Sequence, residues 1–367
     1  MKINKIKTIA FYLPQFHPIP ENDHWWGKGF TEWTNVAKAK PMFSGHYQPH
    51  VPADLGFYDL RLPEARKAQA DLAKEYGITA FCYWHYWFGN GKRILERPFD
   101  EVLKSGEPDF PFCLAWANES WSGIWHGNPK TMLMEQVYPG EEDYKEHFNY
   151  LLQAFRDERY FKVDGKPLFV VYQPLQIPDL ELFVKTFRGL AEENGLKGLH
   201  LVATNVDTDW DAEKYGFDAL TPAVHTKSNY LKSANRLVDA YRRVKTSRLS
   251  KYYKKILKKP PRIYNYSDAI QEFTEEHGNN IYYPTVIPNW DNTPRSGVNG
   301  FVLHNSTPEL FKKAMLNAKK LVEKYDEENQ IIFIKSWNEW AEGNHLEPDL
   351  KFGYQYLQVV RDIINNE

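Results

Sequence analysis

Apolar, β-branched and aromatic residues gather in eight short runs: Ile9–Leu13, Ile78–Trp84, Phe112–Trp116, Leu168–Tyr172, Leu199–Ala203, Phe217–Leu220, Ile281–Ile287 and Ile331–Trp337. Runs of this length and content are read as buried strands. Between them the apolar positions recur every three to four residues, as in Leu62–Tyr76, Asp143–Arg156, Leu180–Asn194 and Pro308–Tyr325. That spacing is the stripe of an amphipathic helix, and several of the segments end in the Gly or Asn expected beyond a helix C-terminus. Strand and helix alternating eight times predict an α/β fold, specifically a (β/α)8 TIM barrel with long βα loops. A doubly wound sheet is the main rival, but no G-x-G-x-x-G follows any of the runs. Two connections are unusually long, Pro14–Tyr58 after the first strand and Thr226–Arg262 after the sixth. On a barrel such loops are where binding and catalysis are built. With no repeat, low-complexity linker or composition shift, residues 1–367 read as a single catalytic domain with a basic helical insertion at about 226–262.

Composition narrows the class. Hydrophobic residues make up 42% and charged residues 26% of the chain, and no apolar run approaches the roughly 18 residues of a membrane span, which predicts a soluble globular protein. Cys82 and Cys113 cannot make a disulfide framework or a four-cysteine metal site, and read as buried thiols in a reducing compartment. The N-terminal run is too short for a signal peptide and leads into Pro14, Gln15 and His17 instead of a small-residue cleavage site. A cytoplasmic protein is expected, or a periplasmic or secreted one if a leader precedes the chain. The net charge of −2 hides an asymmetry: Lys227–Arg262 holds 13 Lys or Arg and one acid, Asp239. Such a segment is either a solvated helical face or the contact for a partner of opposite charge: an anionic glycan, a lipid-linked glycan or an acidic membrane surface. Nucleic acid is not expected, since no nucleic-acid motif accompanies the basic segment.

The 12 tryptophans all fall at the ends of predicted strands or in the loops after them. Core tryptophans would be shared with the helices, so this bias points to the C-terminal mouth of a barrel. Aromatic faces with few basic neighbours suit the C–H faces of sugar rings. Large loops anchored by tryptophan are the plainer explanation. Polar residues follow the same geography. The candidate sugar-binding set is Tyr12, His17, Trp25, Trp26, Glu32, Trp84, His85, Trp116, Asn118, Glu119, Trp121, His225, Trp290, Asp291, Arg295, Trp337, Asn338 and Trp340. Of these, Trp25, Trp26, Trp84, Trp116, Trp121 and Trp290 are expected to line one open cleft with Tyr12 and His17 at its floor. The sharpest local signal follows the eighth strand, where Glu339 and Glu342 stand three apart between tryptophans, with Glu347 close behind. Cleaving a glycosidic bond needs one protonated carboxyl and one ionised one, and apolar walls plus a like-charged neighbour separate the two pKa values. Glu339 and Glu342 are therefore the predicted catalytic pair. The histidines show no H-x-H or H-E-x-x-H spacing, so neither a metal site nor a cofactor is expected.

Four stretches, Phe11-Tyr-Leu-Pro-Gln-Phe-His17, Gly29-Phe-Thr-Glu-Trp33, Trp116-Ala-Asn-Glu119 and Trp337-Asn-Glu-Trp-Ala-Glu-Gly343, resemble the WbsX-type proteins, the group related to glycoside hydrolase family 99. The resemblance runs from about Thr8 to Tyr356. Family 99 enzymes are (β/α)8 endo-α-mannosidases, retaining and metal-independent, with a Glu-Trp-His-Glu-Gly motif followed by Glu-Pro. Here Glu339-Trp-Ala-Glu342-Gly343 and Glu347-Pro348 are similar, with Ala341 in place of the histidine and Asn344 in place of a threonine. The resemblance implies that Glu339 is the base assisting attack by the sugar's own 2-hydroxyl through an anhydro-sugar intermediate. It implies that Glu342 is the general acid/base at the leaving group. It does not carry mannoside specificity, because the two departures fall inside the motif. Two other classes stay open. A glycosyltransferase of cell-surface polysaccharide (O-antigen or capsule) biosynthesis would want a metal-binding Asp-x-Asp, which Asp207-Thr-Asp209 offers. A non-catalytic glycan-binding protein would keep the tryptophans without needing Glu339 and Glu342.

Overall fold

The computed structural model describes residues 6–123, 128–207, 209–222, 260–270 and 280–365. Eight parallel strands carry the fold: β1 Lys7–Tyr12, β2 Ala80–His85, β3 Phe112–Trp116, β4 Lys166–Val171, β5 His200–Ala203, β6 Ala219–Leu220, β7 Thr285–Val286 and β8 Ile331–Ile334. Each overlaps one of the eight predicted runs, with the first, second and fourth reaching one or two residues beyond it. They pair in the order β7-β8-β1-β2-β3-β4-β5-β6. Helices Pro63–Glu75, Glu141–Arg156, Leu180–Glu193 and Pro308–Val322 fill the four predicted helical segments. Their starts follow the local chemistry. Asp179 accepts the Leu182 N–H at 2.9 Å and Thr307 accepts that of Leu310 at 3.3 Å, which satisfies donors the first helical turn leaves open.

The closed barrel expected from eight alternations is not what forms. The ladder is an open, curled sheet whose two end strands, β6 and β7, have two residues each. They meet at a single parallel bridge, Leu220 to Tyr282, with hydrogen bonds from Leu220 N–H to Ile281 O (2.9 Å) and from Tyr283 N–H to Leu220 O (2.8 Å). Proline explains the short ends. Pro284 has no N–H to give and separates the bridge from β7, and Pro222 stands two residues beyond β6. The long connection after β1 also differs from a plain loop: it contains helices Pro20–Trp26 and Glu32–Lys38, so Trp25, Trp26 and Trp33 are helical. The hairpin of Trp121–Gly123 and Asn128–Met134 was not foreseen either. Residues 226–259 of the basic segment, together with Trp125, Thr208 and His225, lie outside the described residues. Among the described residues no helix is long and apolar enough to cross a membrane.

Strand parity sorts the side chains, because successive residues of a strand point to opposite faces. Phe11 stacks on Phe333 and on Trp84, with ring centres 5.2 and 4.9 Å apart, and Trp84 meets Tyr172 edge-on at 5.4 Å. This column lies on the concave side of the sheet. Tyr12, His85 and Trp116, one position out of step, face the helices instead. Tyr12 donates to Gln69 of helix Pro63–Glu75 at 2.6 Å, His85 meets His147 at 2.8 Å, and Trp116 packs against His147 and Phe183. Cys82 and Cys113 are buried free thiols opposite one another in the β2–β3 register. Phe333 is fully buried at the foot of the concave column. Phe333→Ala is expected to cost about 3–5 kcal/mol of unfolding free energy in urea titrations; a loss under about 1 kcal/mol would mean that the column does not support the sheet.

Candidate active site

Beyond β8 the chain turns back on itself and places two carboxylates over the C-terminal edge of the sheet. Asn338–Glu339 and Asn344–His345 form a two-stranded antiparallel hairpin closed by the tight turn Trp340–Glu342. Gly343 follows at φ +60°, where a Cβ would lie 3.0 Å from the Asp291 Cβ, so the turn has room only for glycine. The Asn338 side chain fixes the hairpin to the end of β1, accepting the Leu13 N–H at 2.7 Å and donating to the Leu13 carbonyl at 3.0 Å. Ser336 Oγ accepts the Glu339 N–H (2.9 Å) and donates to the Asn344 carbonyl (3.0 Å). Trp337 and Trp340 are buried beneath, with Trp340 stacked on His345 at 3.7 Å. Glu347 belongs to this base: it accepts hydrogen bonds from Trp340 Nε1 (2.5 Å), Gln69 Nε2 (2.6 Å) and the Tyr58 hydroxyl (2.8 Å). Burial pushes its carboxyl up to about 7 against the pull of those donors.

Above the hairpin lies a cleft of about 320 Å³. Leu13 and Gln15 line it near the end of β1, Trp26, Phe30, Glu32 and Asn35 from the two helices beyond and the turn between them, and Trp84 and Tyr86 from β2 and the residue after it. Glu119, Trp121 and Leu133 line it from the β3 loop and the hairpin, Tyr172 from β4, and Arg295, Lys335, Glu339 and Glu342 close the ring. The buried Arg295 guanidinium organises the charges. Its Nη1 lies 2.7 Å from Glu342 Oε1 and 3.3 Å from Glu339 Oε1, and its Nε lies 3.1 Å from Glu32 Oε2. Burial opposes the guanidinium charge, but Glu32, Glu342 and Glu339 together outweigh it and hold its pKa above the ordinary value. Glu339 is pushed up to about 7, first by burial and then by the Glu342 charge, with Lys335 and Arg295 pulling the other way. Across the cleft Glu119 is also raised, by burial, and only Lys335 opposes the shift.

Of the predicted binding residues, the cleft brings together Trp26, Glu32, Trp84, Glu119, Trp121 and Arg295 with Glu339 and Glu342. Trp25 stands behind, its ring 6.1 Å from that of Trp121. The others are packed elsewhere. Tyr12 and His17 do not form the floor: Tyr12 faces the helices, and His17 is buried with Nδ1 3.0 Å from the Pro14 carbonyl. His85 and Trp116 share the helix-facing parity of Tyr12, and Trp116 Nε1 donates to the Trp87 carbonyl at 2.9 Å. Asn118 spends its amide on Tyr138 and Gln173, and Asp291 accepts from Gln48 and Thr293 and meets His46. Trp290 is enclosed beneath the Lys335 ammonium, 4.9 Å from its ring centre. Trp337, Asn338 and Trp340 build the hairpin base. Sequence reasoning missed Gln15, Asn35, Tyr86, Tyr172 and Lys335. Parity could have found the last two, since Tyr172 lies two beyond Val170 of β4 and Lys335 two beyond Phe333 of β8. It also missed a convergence of His50, His345 and Asp349, whose one local signal is the four-residue step from His345 to Asp349.

Fold and site together define a parallel α/β protein with a carboxylate-bearing, aromatic-walled mouth at the C-terminal strand ends. Residues 8–360 match the family described as Glycosyltransferase WbsX, and the chain belongs to that family. It is 36% identical over 358 residues to the uncharacterized protein WxcX of Xanthomonas campestris pv. campestris (strain B100), covering 97% of this chain and 49% of that protein. WxcX of a second strain of that pathovar, ATCC 33913, matches at 36% over 360 residues with the same coverage. The chain thus spans about half the length of these curated relatives. Among solved structures it resembles a glycoside hydrolase-like protein, with a TM-score of 0.59 and 14% identity over 100% of this chain and 96% of the other. It also resembles the GH99 endo-alpha-mannosidase from Bacteroides thetaiotaomicron, with a TM-score of 0.55 and 16% identity over 98% and 96% of the two chains. At these identities the likeness is one of fold.

Replacing Arg295 by Met should leave Glu32, Glu339 and Glu342 facing one another with Lys335 as the remaining positive charge of the cleft, at a cost of about 3–5 kcal/mol. The loss should be larger at pH 8 than at pH 5. The Glu339 carboxyl already binds its proton more tightly folded than unfolded, so its contribution to stability is full at low pH and falls away as pH rises through about 7. Urea unfolding of both proteins at the two pH values measures this, and an equal loss at both would contradict it.

Proposed function

We propose that this chain is a glycan-active enzyme, a retaining glycoside hydrolase acting on an oligo- or polysaccharide with chemistry of the endo-α-mannosidase kind. The observation that carries the reading is the meeting of Glu339 and Glu342 at one guanidinium nitrogen inside a cleft walled by Trp26, Trp84 and Trp121. Half-buried indoles offer faces to sugar C–H groups, while Gln15, Asn35 and Glu32 offer partners for hydroxyls. Glu339 acts as the base. Its proton affinity near neutrality suits that task, because a base works best with a pKa close to the working pH. Glu342 serves the leaving group, as the family resemblance implies. Both carboxylates are held by a rigid hairpin, which keeps acid and base in register with the bond to be broken. In this proposal residues 1–367 form one catalytic domain, and the basic segment 227–262 engages an anionic glycan, a lipid-linked glycan or an acidic membrane surface.

The second reading is transfer in polysaccharide biosynthesis, which the name of the family favours. The two are separated by incubating defined glycans with and without nucleotide sugars. Turnover without a donor supports hydrolysis, and product formed only with a donor supports transfer.

Glu339→Gln and Glu342→Gln are each expected to lower kcat at least ~10²-fold through lost acid–base assistance, with the melting temperature close to that of the unchanged protein. Normal turnover in both variants would refute the pair. If Glu339 is the base, kcat/KM should fall tenfold per pH unit below about 7, where its carboxyl takes up a proton.

A further inference from the structure

A smaller hollow, away from the cleft, is lined by Tyr47, His50, Asp291, Lys351 and Phe352 among others, and His50 leads from it to His345 and Asp349. Three buried side chains converge there, His50, His345 and Asp349, with one ligand atom of each within 4.8 Å of the others. Two of the three are aimed by bonds on their far sides. The Glu347 carbonyl lies 2.9 Å from His345 Nδ1 and accepts its N–H, which leaves Nε2 as the lone-pair nitrogen. Asp349 Oδ1 accepts the backbone N–H groups of Lys351 (3.0 Å) and Phe352 (2.6 Å). Its Oδ2 therefore turns toward the histidines, 4.0 Å from His345 Nε2, with the Tyr47 hydroxyl at 3.4 Å. His50 Nδ1 stands 2.9 Å from the same Nε2.

Imidazole and carboxylate ligands fixed from behind by backbone carbonyls and amides are the arrangement found around protein-bound metal ions. Metal–nitrogen bonds of about 2.0–2.1 Å place two imidazole nitrogens roughly 3 Å apart, close to the separation already present. The carboxylate needs only a small inward shift. We propose that His50, His345 and Asp349 form a three-ligand site for a divalent ion of the zinc class, with water from the adjoining hollow as the fourth ligand. His50 then carries its ring proton on Nε2 instead of Nδ1, a tautomer change that releases no net proton. None of the three residues lines the catalytic cleft, so the ion is structural: it ties the segment around His50 to the strand Asn344–His345 and so steadies the hairpin that holds Glu339 and Glu342. The site stands independently of what the cleft acts on.

The test uses the full chain stripped with a chelator and titrated with zinc chloride by calorimetry. Cobalt chloride serves as a coloured substitute. One equivalent of zinc should bind and raise the melting temperature, and cobalt should give visible absorption bands of a four-coordinate ion. Asp349→Asn keeps an oxygen for the Lys351 and Phe352 N–H groups, and His50→Gln keeps the side-chain reach. Each should weaken zinc binding at least about 10-fold with the circular dichroism spectrum unchanged. An absence of zinc binding by the unchanged protein, or binding that persists at full strength in both folded variants, would overturn the site.

Discussion

One buried guanidinium sets the electrostatics of the mouth. Arg295 touches Glu32, Glu339 and Glu342 at once, and without it three carboxylates would share a dry space that cannot hold three unpaired charges. With it, one positive charge is divided among three negative ones, so the cluster keeps a surplus of negative charge. Glu339 carries the consequence, as its carboxyl holds a proton up to about pH 7. Lys335 supplies the second positive charge of the cleft, between Glu339 and Glu119. A titratable group poised near neutrality is thus produced by burial and a like-charged neighbour, with the two cations limiting the shift.

That arrangement depends on a scaffold that cannot yield. The hairpin bearing the carboxylates is bolted to β1 through Asn338, closed by Ser336, and seated on Trp337 and Trp340. Glu347 follows the pair closely in sequence as a third carboxylate, yet its oxygens are occupied by Trp340, Gln69 and Tyr58. It serves as a buried anchor that joins the hairpin to helix Pro63–Glu75. Asp291 plays a comparable part on the other side: it closes against Gly343 and takes hydrogen bonds from Gln48 and Thr293 beside its contact with His46.

Much of this was legible in the chain. The eight runs gave the strands because buried parallel strands are apolar on both faces, and Glu339 and Glu342 stood out because they follow a strand end between tryptophans. Direction was harder to read. A strand buried on both faces has no alternation of polar and apolar residues to reveal which side chains point inward, so Tyr12, His85 and Trp116 were grouped with Trp84 although they face the helices. Polar residues such as Asn118 and Asp291 were misplaced for a related reason: their partners, Gln173, Gln48 and Thr293, are set by folding and leave no mark in spacing. The open end of the sheet went unread although Pro284 lies inside the run Ile281–Ile287 and Pro222 stands two residues after Phe217–Leu220, where each breaks a strand.

The claim that the mouth holds a carboxyl poised near neutrality is tested most directly by pH titration of the side-chain carboxyl carbons in protein labelled at glutamate. Two glutamates, Glu339 and Glu347, should titrate around pH 7, and Glu339→Gln should remove one of these curves while leaving the other. If the curve that Glu339→Gln removes titrates instead in the ordinary carboxylate range near pH 4, the electrostatic account of the site is wrong.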